Sequence, residues 1–112
     1  MEPHNAFSKR NLAVILSKVG KLLEALPLFR QAASLTPQDP AIQLGLAQCL
    51  TQLGGVHRAE AEKLYKQIIK KYSEHPAADV AITLSNKLAN EDLHGTVPYL
   101  ILSFLNSLDF IK

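Results

Sequence analysis

The sequence predicts an all-α fold, a solenoid of about six antiparallel helices stacked as three helix-turn-helix pairs. The first observation is an internal repeat, in which seven apolar or glycine positions recur at an offset of 34 residues. Leu12, Ala13, Leu16, Val19, Gly20, Leu22 and Ala25 return as Leu46, Ala47, Leu50, Leu53, Gly54, Val56 and Ala59. Repeats of this length are typical of helix pairs that bury their apolar faces only by stacking. The second observation is that glycine or proline punctuates the predicted helices. The 112 residues therefore form one predicted domain, with repeats at about 6–39, 40–75 and 77–111.

The first pair is predicted to have helices at about 5–19 and 21–35. Leu12, Ala13, Leu16 and Val19 follow the spacing of one helical face, and Gly20 can end the helix in a left-handed conformation. The second helix contains a proline within its first two turns, where the missing N–H costs least. The segment 36–40, Thr-Pro-Gln-Asp-Pro, closes the pair because it cannot continue a helix.

The second pair repeats this arrangement with helices at about 40–53 and 57–72. Asp39 is suited to the N-cap and Pro40 to the first helical position. Gly54 and Gly55 separate the two helices. The second helix is predicted to be longer than its counterpart, and the repeat has two extra residues relative to the first, since Phe29 aligns with Tyr65 at an offset of 36.

The third pair is predicted to have helices at 77–90 and 97–111, joined by a loop at 91–95. Ala81, Leu84 and Leu88 form the inward stripe of the first of these helices. Thr96 is suited to cap the second, which contains Pro98 in its first turn.

These residues resemble the tetratricopeptide repeat family of 34-residue helix pairs. The resemblance covers about residues 6–105. The first repeat matches at Leu12, Gly20, Ala25, Phe29, Ala32 and Pro37, and the second at Leu46, Gly54, Ala61, Tyr65 and Pro76. The third keeps only hydrophobic equivalents at Leu84, Leu88, Ile101 and Phe104. The first-helix aromatic of the family is replaced by Lys9 and Gln43. The resemblance implies a scaffold or adaptor rather than an enzyme, with a protein or peptide partner.

The resemblance also implies where that partner binds, because the first helix of each pair lines the concave surface in such solenoids. The implied peptide-binding residues combine apolar, hydroxyl, amide and charged side chains: Phe7, Arg10, Val14, Ser17, Lys18, Leu44, Gln48, Thr51, Gln52, Asp79, Ile82, Asn86 and Asn90. One branch of the family clamps a C-terminal carboxylate with asparagines. Val14 and Gly45 stand at those positions, so no such clamp is expected.

The segment 97–111 is apolar on almost every side, whereas a surface helix normally keeps one polar face. Three explanations are open: the chain continues in a longer protein, the helix docks on another chain, or it folds back on its neighbours. Exposed apolar patches commonly mark interaction sites. The alternative function is therefore homo-oligomerisation through this helix, with an interface made of Val97, Leu100, Ile101, Phe104, Leu105 and Leu108.

Other functions find little support in the sequence. A net charge of +2 does not favour nucleic acid as a ligand, and the basic stripe of Lys63, Lys66, Lys70 and Lys71 is interpreted as a solvated helix face. The four histidines lack metal-ligand spacing, and no phosphate loop or nucleophile motif occurs, so we expect neither metal, cofactor nor enzymatic activity. The expected location is the cytoplasm. No stretch approaches the roughly 20 apolar residues of a membrane span, the N-terminus does not resemble a leader, and Cys49 is the single cysteine.

Overall fold

The computed structural model describes residues 5–95, and it contains five α-helices in this range. They are α1 (Ala6–Lys18), α2 (Leu22–Leu35), α3 (Pro40–Leu53), α4 (Arg58–Lys71) and α5 (Pro76–Gly95), with a short 3-10 helix at Gly55–His57 ahead of α4. No strand occurs in this part of the chain. The predicted all-α repeat fold is therefore confirmed, although five helices are described where about six were expected.

Local sequence signals explain where these helices begin and end. The Asn5 side chain accepts a hydrogen bond from the Phe7 amide at 2.7 Å, and the Asp39 side chain accepts one from the Ala41 amide at 2.9 Å. These N-caps satisfy amide groups that have no partner inside the helix. Gly20 and Gly54 have φ angles of +86° and +67°, which side-chain-bearing residues rarely adopt. Both glycines accordingly follow the ends of first helices.

The predicted loop at 91–95 is wrong, because α5 continues as a helix to Gly95. No glycine or proline interrupts the sequence between Pro76 and Gly95, so nothing stops helix propagation before that glycine. The predicted helix at 97–111 and its six interface residues lie outside the described residues.

The helices form two layers. The first layer contains α1, α3 and α5, and the second layer contains α2 and α4. Each helix packs on the next along the chain, and α3 also contacts α1 and α5. α3 thus lies at the centre of the stack and contacts all four other α-helices. α1 and α5 lie at opposite ends and do not contact each other within the described range.

The core is concentrated where α3 and α4 meet. Its largest fully buried side chains are those of Tyr65, Leu50, Ile68 and Cys49. The Thr51 hydroxyl donates to the Ala47 carbonyl at 2.8 Å and lies 2.9 Å from the Tyr65 hydroxyl. Since Thr51 has used its proton, Tyr65 is the donor in that second bond. The buried Tyr65 phenol is thereby satisfied within the otherwise apolar core of the described residues.

Two arginines make side-chain contacts between elements distant in sequence. Arg30 on α2 makes a bidentate ion pair with Glu60 on α4, at 2.7 and 2.9 Å. Arg58 on α4 donates to the Leu88 carbonyl on α5 at 2.7 Å. The first contact fixes the two second-layer helices relative to each other, and the second connects α4 to the last described helix.

The Arg30–Glu60 pair should make stability depend on pH. Its hydrogen bonds hold the pKa of Glu60 below the ordinary value of 4.5. A group whose pKa is lower in the folded chain stabilises the fold at pH values above its unfolded-state pKa, which is about 4.5 for Glu60. This contribution is lost as the pH falls through the folded-state pKa. Both side chains are partly exposed, so solvent screening limits the contribution to about 0.5 kcal/mol. We expect Glu60→Gln to lower the free energy of unfolding by that amount at neutral pH and to have no effect in strong acid.

Urea unfolding at both pH values measures this difference. Glu74→Gln, in the exposed turn ahead of α5, is the matched control, because it removes the same charge outside the α2–α4 ion pair. An equal loss of stability at neutral pH in both variants would contradict the assignment.

Candidate functional site

Two adjoining open grooves lie along the layer formed by α1, α3 and α5. The larger, of about 440 Å³, runs between α1, α3 and the start of α5. The smaller, of about 240 Å³, lies between α3, α4 and α5. Gln48 and Gln52 line both, so the two grooves form one continuous surface, which we call the concave groove.

Most of the residues expected on the concave surface line this groove. Arg10, Val14, Ser17 and Lys18 on α1 and Leu44, Gln48 and Gln52 on α3 line the larger part. Thr51 lines the smaller part. Phe7 lines neither and is exposed near the start of α1. The spacing of the α1 and α3 residues places them on one helical face each, and the packing of α1 on α3 brings those faces together.

The positions expected from the third repeat lie outside this groove. Asp79, Ile82, Asn86 and Asn90 are exposed on α5 but line neither part of the groove. Val80, Leu84 and Lys87 occupy that wall instead. The sequence contained the signal that identifies them. Pro40 and Pro76 each begin a helix and are 36 residues apart. At the same offset, Leu44, Gln48 and Thr51 are equivalent to Val80, Leu84 and Lys87.

The floor of the groove depends on a glycine. Gly45 on α3 faces the Phe29 ring of α2, and a Cβ atom added at Gly45 would lie 2.7 Å from the ring atom Cε1. This is shorter than any normal carbon contact, so only glycine allows the ring to occupy its present position. The ring consequently lies with residues of α1 and α3 in the lining of the groove.

The groove has a positive electrostatic character. Arg10 and Lys18 lie along α1 and Lys87 lies on α5, and no aspartate or glutamate is among the lining residues of either part. The Arg10 guanidinium contacts the neighbouring Asn11 side chain at 3.4 Å. With cations at both walls and no acid between them, the groove favours ligands that carry negative charge.

Cys49 supplies the thiol at the groove, and its surroundings make it unreactive. Burial raises the pKa of its thiol, an effect that the nearby Arg30 charge only partly offsets. The Sγ atom lies 3.6 Å from the Leu22 carbonyl, to which the thiol donates. A protonated, buried thiol is a poor nucleophile, so Cys49 serves as a packing residue.

Among the side chains that the structure describes, those of residues 5–90, no cluster of three or more histidine, cysteine, aspartate or glutamate side chains could hold a metal ion. None of the described helices has the length and apolar character needed to cross a bilayer.

Comparison with known proteins agrees with this architecture. The family model described as tetratricopeptide repeat matches residues 16–79, more than half of the 112-residue chain and the part that runs from α1 into α5. No curated protein and no solved structure gives a significant match. Such repeats generally mediate protein–protein interaction and are typically non-enzymatic. The chain therefore belongs to the tetratricopeptide repeat family.

Proposed function

We propose that this protein is a non-enzymatic adaptor that binds an extended peptide or protein segment in its concave groove. The observation that carries the proposal is the groove itself, where side chains from three first-layer helices converge on one continuous surface. Extended segments bind such surfaces through hydrogen bonds to their backbone and through pockets for a few side chains.

The lining residues supply both kinds of contact. Gln48, Gln52 and Thr51 present amide and hydroxyl groups that can pair with a peptide backbone. Leu44, Val80 and the Phe29 ring supply an apolar floor for an anchoring side chain.

The charges along the groove define the ligand further. Arg10 and Lys18 on one wall and Lys87 on the other would attract acidic side chains on either side of the anchor. We propose a segment in which acidic residues flank an apolar residue. Because the cations are at the rim, electrostatics should govern the association rate and its dependence on salt more than the final packing.

A titration with designed peptides tests this proposal. Three fluorescent peptides would share one leucine anchor and differ only in flanking glutamate, glutamine or lysine residues. We expect fluorescence anisotropy to show the tightest binding for the acidic peptide. Arg10→Glu should weaken that binding by about tenfold, which corresponds to about 1.4 kcal/mol.

The matched control is Lys63→Glu, which makes the same charge change on the exposed outer surface of α4. It should leave the affinity within about twofold of that of the unchanged chain, since screening reduces the effect of distant surface charges. Equal binding of the acidic and lysine-flanked peptides, or an equal loss in both variants, would contradict the groove assignment.

We also propose a cytoplasmic location for the adaptor. The support is indirect: the single cysteine is a buried free thiol, and cytosolic proteins keep their cysteines reduced.

A further inference from the structure

We propose that the outer face of α1 binds the apolar segment 97–111 of a second copy, so that chains associate head to tail. The outer face consists of Leu12, Ile15 and Val19. Their exposed fractions are 48%, 58% and 64%, and they lie on a different side of α1 from the groove residues Arg10, Val14 and Ser17.

The repeat shows what kind of partner fits the outer face. An offset of 34 residues carries Leu12, Ile15 and Val19 onto Leu46, Cys49 and Leu53 of α3. Leu46 and Cys49 are buried and Leu53 is half-buried, and α2 is the helix that packs on α3 from the preceding pair. In the described part of the chain no helix takes the place of α2 against α1. An apolar helix with the character of α2 is thus the partner that completes the packing.

The segment 97–111 has the required composition. Ten of its side chains are apolar: Val97, Tyr99, Leu100, Ile101, Leu102, Phe104, Leu105, Leu108, Phe110 and Ile111. Its sequence predicts a helix with almost no polar face, which needs apolar surface to cover it.

Charge also favours a head-to-tail contact. Residues 1–36 contain five lysines and arginines against two acids, whereas residues 77–112 contain two against four. The two ends of the chain are therefore complementary. Equivalent ends would repel each other, so the charges favour contact between opposite ends.

The segment must come from a second copy. It follows Gly95 after a single residue, and α5 and α1 lie at opposite ends of the stack with α3 between them. Packed helices lie about 8–10 Å apart, so the outer face of α1 is more than two helix spacings from α5. A 15-residue helix is only about 22 Å long. A segment of this length that started beside α5 would end while crossing α3 and α1, before it reached the outer face.

Light scattering on the full chain at increasing concentration tests the proposal. A contact between unlike surfaces does not close on itself in a dimer, so the average mass should rise steadily above the 12.3 kDa of one chain. Ile15→Glu should return the mass to one chain without loss of helicity, because Ile15 is exposed in the single chain. Val56→Glu is the control, because it makes the same kind of change at a residue that is 91% exposed in the 3-10 helix ahead of α4. This variant should associate as the unchanged chain does.

A mixing experiment separates this arrangement from pairing between two copies of segment 97–111. The Ile15→Glu variant keeps an intact segment 97–111 but has a disrupted outer face. The Leu108→Glu variant keeps an intact outer face but has a disrupted segment. Each variant alone should be a single chain, whereas a mixture should form a 1:1 dimer and nothing larger. A mixture that remains monomeric overturns the proposal, and so does an unchanged chain that stays at 12.3 kDa at every concentration. Ile15→Glu should bind the acidic peptide normally, so failure of either proposal can be recognised independently of the other.

Discussion

Replacement of Leu50 by alanine is expected to lower the free energy of unfolding by about 3 kcal/mol. Leu50 is fully buried near the C-terminal end of α3, the helix that contacts all other α-helices described. Removing a buried leucine side chain costs the transfer free energy of the lost carbon atoms and leaves a cavity. Because rigid helices surround this position on several sides, the cavity cannot collapse easily, so we expect a value well inside the range of about 2–5 kcal/mol known for such changes.

Urea denaturation followed by far-ultraviolet circular dichroism measures this loss. Leu23→Ala is the matched control, because it removes the same atoms from a side chain that is 74% exposed on α2. Substitutions at exposed sites of this kind usually change stability by less than about 0.5 kcal/mol. Similar losses in the two variants would show that α3 is not the centre of the core.

Replacement of Gly45 by valine is expected to destabilise the fold by about 2 kcal/mol, although it removes a glycine from the middle of a helix. Helix propensity alone favours the valine, by only a few tenths of a kcal/mol. The opposing effect is larger, since even the first added carbon would lie 2.7 Å from the buried Phe29 ring. Overpacking of this kind costs about 1–3 kcal/mol, so steric crowding outweighs propensity.

A double-mutant cycle identifies the contact responsible. Phe29→Leu on its own should destabilise the fold, because it removes part of a buried ring. In that background Gly45→Val should cost much less than in the unchanged chain, since the smaller side chain leaves room for the valine. Additive losses would mean that the crowding at Gly45 comes from another neighbour. The same denaturation measurement gives all four values of the cycle.

Helix positions in the first two pairs could be predicted from the sequence because local chemistry decides them. Asp39 and Pro40 together specify the start of α3, and Gly54 specifies its end through a φ angle that other residues avoid. The end of α5 was harder to predict. Residues 91–95 are polar enough for a loop, yet no helix-breaking residue precedes Gly95, and polarity alone does not end a helix.

The candidate site was predictable where the repeat is regular. Arg10, Val14, Leu44 and Gln48 line the groove because α1 and α3 begin at equivalent positions. Ile82 and Asn86 do not, because the helix register changes after the two-residue insertion in the second repeat.

Burial depended on information that the repeat pattern cannot supply. Leu12 and Leu46 are equivalent in sequence, but Leu46 is buried whereas Leu12 is 48% exposed. In the described part of the chain α3 has a preceding helix, α2, packed on it, and α1 has none. A periodic pattern indicates which side of a helix is apolar. It does not indicate whether another helix covers that side.

The central position of α3 has a consequence for how the molecule opens. In a linear array each unit is stabilised mainly by its neighbours, so the terminal units separate first. α1 contacts two helices, whereas α3 contacts four, and α1 could therefore detach while the core around α3 and α4 stays folded. Because α1 forms one wall of the groove, this partial opening would abolish the proposed binding surface before the remaining helices unfold. Ligand binding would in turn hold α1 in place, and the bound partner would act as a local clamp on that helix.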